Sequence, residues 1–324
     1  LNYTRSQGGT ATVGIFQKYV PDVQTTWEYT LDNIRNFYDQ MLLQSSEMTE
    51  APVLPSSLIA LQAEYGKATE KKRLATRLMG PYLANNELLG QRTAELHLAL
   101  AANTTNAAFA PEALNSFHQR AIYQHNRNLT GQVFLLIKDH WKSLPESLQP
   151  MAQRLLEYQP LYLEQFRQIL ECKIESQRIR FHGDYHLGQA LYTGKDFILI
   201  DFEGETTRNV SERRIKRSPL RDVAGMIQSF HYAAVYGFRN EVESGVIYTE
   251  QAEYMQQWTQ FWEQWVSAAF LNSYLTTAEA GNFLPTTEQT MKVLLNNYFL
   301  SKAIHDVGYK IVHRSDEVEI PMQR

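Results

Sequence analysis

The segment Phe181-His182-Gly183-Asp184-Tyr185-His186-Leu187-Gly188-Gln189 runs through Ala190-Leu191-Tyr192 and the turn Thr193-Gly194-Lys195-Asp196 into Phe197-Ile198-Leu199-Ile200-Asp201-Phe202-Glu203. Ile179-Arg180-Phe181 and Ala190-Leu191-Tyr192 read as short strands. Phe197 to Ile200 reads as a buried strand that closes a hairpin across the glycine turn. A short loop after a strand lets Asp184 and Gln189 face one cavity, and the hairpin returns Asp201 beside them. A carboxylate able to take a hydroxyl proton, next to oxygen ligands for Mg²⁺ on a nucleotide, is the equipment of phosphoryl transfer.

Outside this hairpin the apolar period is mostly helical. Trp27, Leu31, Ile34, Tyr38 and Met41 share one helix face, and a second helix carries Leu88, Leu89, Leu96 and Leu100. A third is expected from Pro111 through Leu114, Phe117, Ala121, Leu129, Val133 and Leu136. A fourth follows Pro150 with Leu155, Leu156, Leu163, Phe166 and Ile169. Ser218-Pro219 signals another helix start, with serine as cap and proline in the first turn. Before the helices, Leu1 to Arg5 and Ala11 to Gln17 read as two strands joined at Gly8-Gly9, and Pro21 ends the second. Two strands alone are marginal, so the sequence leads us to expect further strands upstream of Leu1.

Larger blocks around the hairpin narrow the reading. His182 to Gln189, Asp201-Phe202-Glu203-Gly204-Glu205, Glu212-Arg213-Arg214 and Lys216-Arg217-Ser218-Pro219-Leu220-Arg221-Asp222-Val223-Ala224-Gly225-Met226 together resemble maltokinases. These are sugar kinases of the aminoglycoside-phosphotransferase type, related to the protein kinases, and they occur alone or fused behind a trehalose synthase domain. Gly90 to His97, Trp27 to Leu31 and Val318 to Pro321 resemble the same family.

The resemblance implies an α+β, protein-kinase-like fold: a mainly α-helical C-lobe over residues 23–324, with its catalytic loop and hairpin at 181–203, behind remnants of an N-lobe sheet and a hinge at 1–22. It implies ATP and Mg²⁺ as cofactors, maltose as the acceptor, maltose 1-phosphate as the product, and a trehalose synthase domain as fused or associated partner. Asp184 would orient or deprotonate the sugar hydroxyl, and Gln189 and Asp201 would hold the metal. Asp222 would hydrogen-bond the backbone of the catalytic loop. Glu203 stands where protein kinases have glycine. The backbone of Gln17, Tyr19 and Val20 would be the hinge that meets adenine. No lysine stands on an upstream strand before residue 18, and no glycine-rich loop opens one; on this reading most of the nucleotide lobe lies outside the chain. Two other readings stay open, a small-alcohol or aminoglycoside kinase on the same fold and a non-catalytic docking domain.

Several residues have plainer uses. His182 is expected to brace its loop. His186 is expected to be a hydrogen-bonded loop histidine that could also touch substrate. The basic run Arg213, Arg214, Lys216, Arg217 and Arg221 is either a solvated face or a contact for phosphate or sugar, with Arg221 the substrate candidate. Trp258, Phe261, Trp262, Trp265, Phe270 and Tyr274 sit at helical spacing and are expected in the core. With 31 Lys and Arg against 35 Asp and Glu, the net charge of −4 gives no footing for nucleic acid. One cysteine, Cys172, precludes an internal disulfide and suggests a cytoplasmic setting. No apolar run is long enough to cross a membrane.

Overall fold

The computed structural model describes residues 2–4, 10–12, 18–44, 50–206, 208–314 and 317–322. Strands β1 (Asn2–Thr4) and β2 (Thr10–Thr12) pair antiparallel, Tyr3 opposite Ala11. Then come β3 (Gln24–Thr25), α1 (Thr26–Gln44), α2 (Leu58–Tyr65), α3 (Glu70–Met79), α4 (Pro81–Ala101), β4 (Glu112–Ala113), α5 (Ser116–Asp139), α6 (Gln149–Glu157) and α7 (Gln159–Arg167). After β5 (Gln177–Arg178) the hairpin is β6 (Ala190–Tyr192) and β7 (Phe197–Leu199). The chain ends in α8 (Val210–Arg213), α9 (Leu220–Glu243), α10 (Ala252–Ala278), α11 (Glu288–His313) and α12 (Glu319–Met322). The protein is thus mainly helical, with small sheets of order β1-β2, β3-β6-β7 and β4-β5, all antiparallel. Among the described residues no helix is long and apolar enough to span a membrane.

The main core forms where α10 lies along α4 and α9. Trp258, Trp262, Trp265, Phe270 and Tyr274 are all at most 1% exposed, so the aromatic stripe is packing. Tyr82 of α4 stacks on Trp262 with ring centroids 5.6 Å apart. A smaller apolar cluster, including Phe134 and Ile137 of α5, Phe166 of α7 and Ile304 and Val307 of α11, anchors α11 against α5. That docking matters because α11 walls the site described below.

The structure shifts three boundaries. The helix expected from Pro111 starts at Ser116: the Asn115 side chain accepts from His118 N–H, and the His118 ring accepts in return from Asn115 N–H. Residues 112–113 instead pair with 177–178 as β4 and β5. The helix expected after Pro150 divides at Tyr158, because Pro160 cannot donate to a continuous helix and opens α7 instead. The strand expected at 179–181 lies two residues earlier, with only Ile179 bridging to Arg217.

Candidate active site

Polar contacts from α4 and α9 hold the loop between β5 and β6. The N–H groups of His182 and Gly183 donate to Asp222 Oδ2 (2.7 Å) and Oδ1 (3.0 Å). Asp222 lies in the first turn of α9 and is 2% exposed. Its Oδ2 also meets His97 Nε2 of α4 at 3.0 Å, and His97 Nδ1 meets the Tyr274 hydroxyl of α10 at 3.0 Å. Burial works against ionising Asp222, but the hydrogen bond and charge of His97, with the loop N–H donors, hold its carboxyl below the usual range. Gly183 sits at φ +90°, where a side chain would be strained. A Cβ on Gly225 of α9 would lie 2.6 Å from the Tyr185 carbonyl oxygen, so the loop rests on the helix backbone itself. The Tyr185 hydroxyl reaches Thr93 of α4 at 2.8 Å, and Leu187 N–H donates to Ser229 Oγ of α9 at 3.1 Å.

His182 is a brace. Its Nδ1 accepts from Asp184 N–H at 3.3 Å, which leaves Nε2–H to donate to the Ile200 carbonyl at 2.8 Å. One neutral ring thereby ties the Asp184 backbone to the end of the hairpin. Next to it, Gln189 Nε2 donates to Asp201 Oδ2 at 2.9 Å, and Ile200 N–H donates to the Gln189 carbonyl at 3.0 Å. Asp201 adopts φ +62°, a left-handed conformation uncommon outside glycine but several-fold enriched for aspartate. Burial, the first influence on His186, lowers its pKa, while the carboxylates of Asp184 and Asp201 both oppose that lowering. Both carboxylates therefore bear on one imidazole. The structure pairs Gln189 with Asp201, and Asp184 and Asp201 both lie within electrostatic reach of His186.

Gln189 and Asp201 supply two adjacent oxygen-bearing side chains. That set suits Mg²⁺, which is commonly held by one or two protein groups, waters and the phosphates of a nucleotide. Among the described residues no group of three or more His, Cys, Asp or Glu could cage a metal by itself. The donors fit an ion that arrives with its nucleotide.

Asp184 also lines a cavity of about 90 Å³, walled by the 183–186 loop, α5, α9, α11 and the segment after Asp201. At its centre Glu205 accepts from Arg208 Nε (2.5 Å), pairs with His305 Nε2 of α11 (3.1 Å) and faces Arg221 Nη2 (3.6 Å). Burial favours the neutral acid, but the His305 hydrogen bond and the charges of His305 and Arg208 outweigh it and hold the Glu205 carboxyl far below its usual value. His305 moves the opposite way, raised by its hydrogen bonds to Asp306 and Glu205. Lys302, one turn before, pairs with Asp306 at 2.7 Å.

The basic run separates by role. Arg217 and Arg221 line the cavity. Lys216 is 6% exposed and donates to the carbonyls of Ala107 and Ala110 and to Glu112, which stitches β4 to the body. Arg213 donates to the Glu203 carbonyl at 3.2 Å, leaving the Glu203 side chain exposed. Of the residues read as a hinge, Tyr19 is 83% exposed, Val20 is half-buried and Gln17 lies outside the described residues. No described contact joins 18–20 to the Asp184–Asp201 cluster, although β3, just after them, pairs with β6 (Thr25 opposite Leu191).

Sequence reasoning did not single out His125, Glu205, Arg208, Lys302 or His305, all of which line the cavity. The available signals were Glu205 and Arg208 three residues apart, and Lys302, His305 and Asp306 at helical spacing on one face.

No protein-family model matches the chain. Solved structures of glucosamine kinase share its fold. One, in complex with glucosamine, ADP and inorganic phosphate, aligns with TM-score 0.66 at 18% identity over 94% of this chain and 57% of the other. Two further glucosamine kinase crystal forms, B and A, align with TM-scores 0.62 and 0.64 at 18% and 17% identity, covering 94% of this chain and 58% and 56% of theirs. The chain spans a little over half the length of the glucosamine kinase chains it matches, and its fold is that of these kinases.

Proposed function

We propose that this chain carries the acceptor site and the catalytic loop of an ATP-dependent sugar kinase, with maltose as acceptor and maltose 1-phosphate as product. The observation that carries the reading is that Asp184 lines a cavity rich in charged side chains, on the loop that leads into the Gln189–Asp201 pair. Asp184 Oδ accepts the proton of the anomeric hydroxyl and aims its oxygen at the terminal phosphoryl group. Holding the two reactants in line supplies much of the rate enhancement in such transfers. His182 and Asp222 are positioning residues that keep the Asp184 backbone rigid. Gln189 and Asp201 would hold Mg²⁺, which neutralises charge on the phosphates. Glu205, His305 and Lys302 offer acceptors and donors for sugar hydroxyls.

The choice of maltose rests on the sequence blocks at 182–189, 201–205 and 212–226, and so does a trehalose synthase domain as partner. In this reading residues 1–22 belong to the edge of a nucleotide lobe, where Tyr19 and Val20 would meet adenine. The test is an ATP-coupled assay of this chain, and of a version extended upstream in its native protein, against maltose, glucosamine, choline and an aminoglycoside. Turnover of maltose by the extended version, well above the isolated chain, is the expected result. Turnover confined to another acceptor would overturn the maltose assignment, and no turnover with any acceptor would overturn the kinase reading.

A further inference from the structure

Three carboxylates, Asp184, Glu205 and Asp222, line the acceptor-side cavity together with a cluster of cations. Arg208, Arg217, Arg221, Lys302 and His305 all line it. Glu205 engages Arg208, His305 and Arg221, and Lys302 is taken by Asp306. Arg217 remains: its backbone pairs with Ile179, but its half-buried guanidinium has no ion pair or hydrogen bond among the described residues. Burial and the neighbouring Arg208 and Arg178 work against its charged form, while Tyr298 and Glu212 favour it. In the same cavity wall, on α11, Tyr298 is 8% exposed, and its hydroxyl approaches the Ser218 backbone without a full hydrogen bond. The positive field also registers on His125 at the cavity rim, which burial and the cations Arg208, Arg217 and Arg221 bring down to about 4. A half-buried arginine fork and a buried hydroxyl, neither with a hydrogen-bond partner among the described residues and both opening on one cavity, are the parts of an anion site.

We propose that Arg208, Arg217, Arg221 and Tyr298 form an anion subsite on the acceptor side of Asp184 that takes a phosphate dianion, and that an anion seated there excludes the acceptor sugar. Neither Gln189 nor Asp201 is among the residues that line this cavity. The binding itself follows from the charges and donors above; the competition with acceptor rests on the sugar-kinase reading. The subsite would make the enzyme sensitive to free phosphate or to phosphorylated sugar.

The experiment is isothermal titration of this chain with inorganic phosphate, without nucleotide or sugar, against chloride at equal ionic strength. A saturable single site is expected, weakened at least tenfold in Arg217→Gln and in Tyr298→Phe, with Arg217→Lys intermediate. Melting curves in chloride identify any variant that fails to fold, and the remaining ones carry the test. A sugar 1-phosphate binding tenfold more tightly than inorganic phosphate would identify phosphorylated sugar as the natural source; equal binding would identify free phosphate. Absence of saturable phosphate binding, or equal affinity in the folded variants, overturns the subsite. If phosphate binds while no acceptor is turned over, the kinase reading alone fails. If maltose is turned over and phosphate raises neither its KM nor the melting temperature, the subsite alone fails.

Discussion

Asp222 Oδ2 accepts the His182 backbone N–H at 2.7 Å and also meets His97 Nε2 at 3.0 Å, so one buried carboxylate joins the loop between β5 and β6 to α4 and α9. Replacing it with alanine strands two loop N–H groups and a fully buried imidazole. Asp222→Ala should lose about 3–5 kcal/mol of stability, the usual cost of removing one partner from a buried charged pair. Chemical denaturation measures it. The acid dependence has a definite sign. The folded-state pKa of Asp222 lies below its ordinary value of roughly 3.9, so its contribution is complete above that value and fades as pH falls through the lowered one. The wild type should therefore lose stability toward acid more steeply than Asp222→Asn.

Gly225 tests whether the loop's seat on α9 matters to chemistry. A Cβ there meets the Tyr185 carbonyl oxygen, a backbone atom one residue after Asp184. Gly225→Ala gains helix propensity of about 1 kcal/mol, yet it must push the loop away. The expected outcome is a fall in kcat of about a hundredfold, as misplacements near 1 Å cause, with secondary structure by circular dichroism unchanged. A kcat within about threefold of wild type would show that the contact is slack.

The Glu205–His305 pair gives the cavity a dependence on pH. Because the folded His305 pKa is raised, its stabilising contribution is complete below the ordinary histidine value of about 6.5 and is lost as pH rises through the raised one. As pH rises above neutral, through the raised His305 value, the wild type should lose melting temperature that His305→Gln does not lose. Glu205, held ionised throughout this range, does not add to the effect. Parallel curves for the two proteins would contradict the pairing.

The hairpin and its three oxygen-bearing side chains were legible because they are local: Gln189 and Asp201 are brought together by one short turn. Helix faces were legible for the same reason, since Ile34, Tyr38 and Met41 carry the period of α1. The boundaries that moved were set by nonlocal partners. Glu112 and Ala113 leave the expected helix because residues 177–178 need an edge partner, and Lys216 sits between three acceptors contributed by 107–112. The cavity was least legible. Its wall joins His125, Glu205, Lys302 and His305 from distant parts of the chain, and each is alone an ordinary polar residue on a helix or loop.

The most direct measurement is the rate of phosphate transfer from ATP to maltose by the upstream-extended protein carrying Asp184→Asn. The change keeps the shape and the backbone hydrogen bond to His182 while removing the proton acceptor. The account predicts a rate lowered by about a hundred- to ten-thousandfold, the range for loss of a positioned general base, with an unchanged melting temperature. A variant that transfers phosphate within about threefold of wild type would contradict it, because the role given to Asp184 requires at least the lower end of that range.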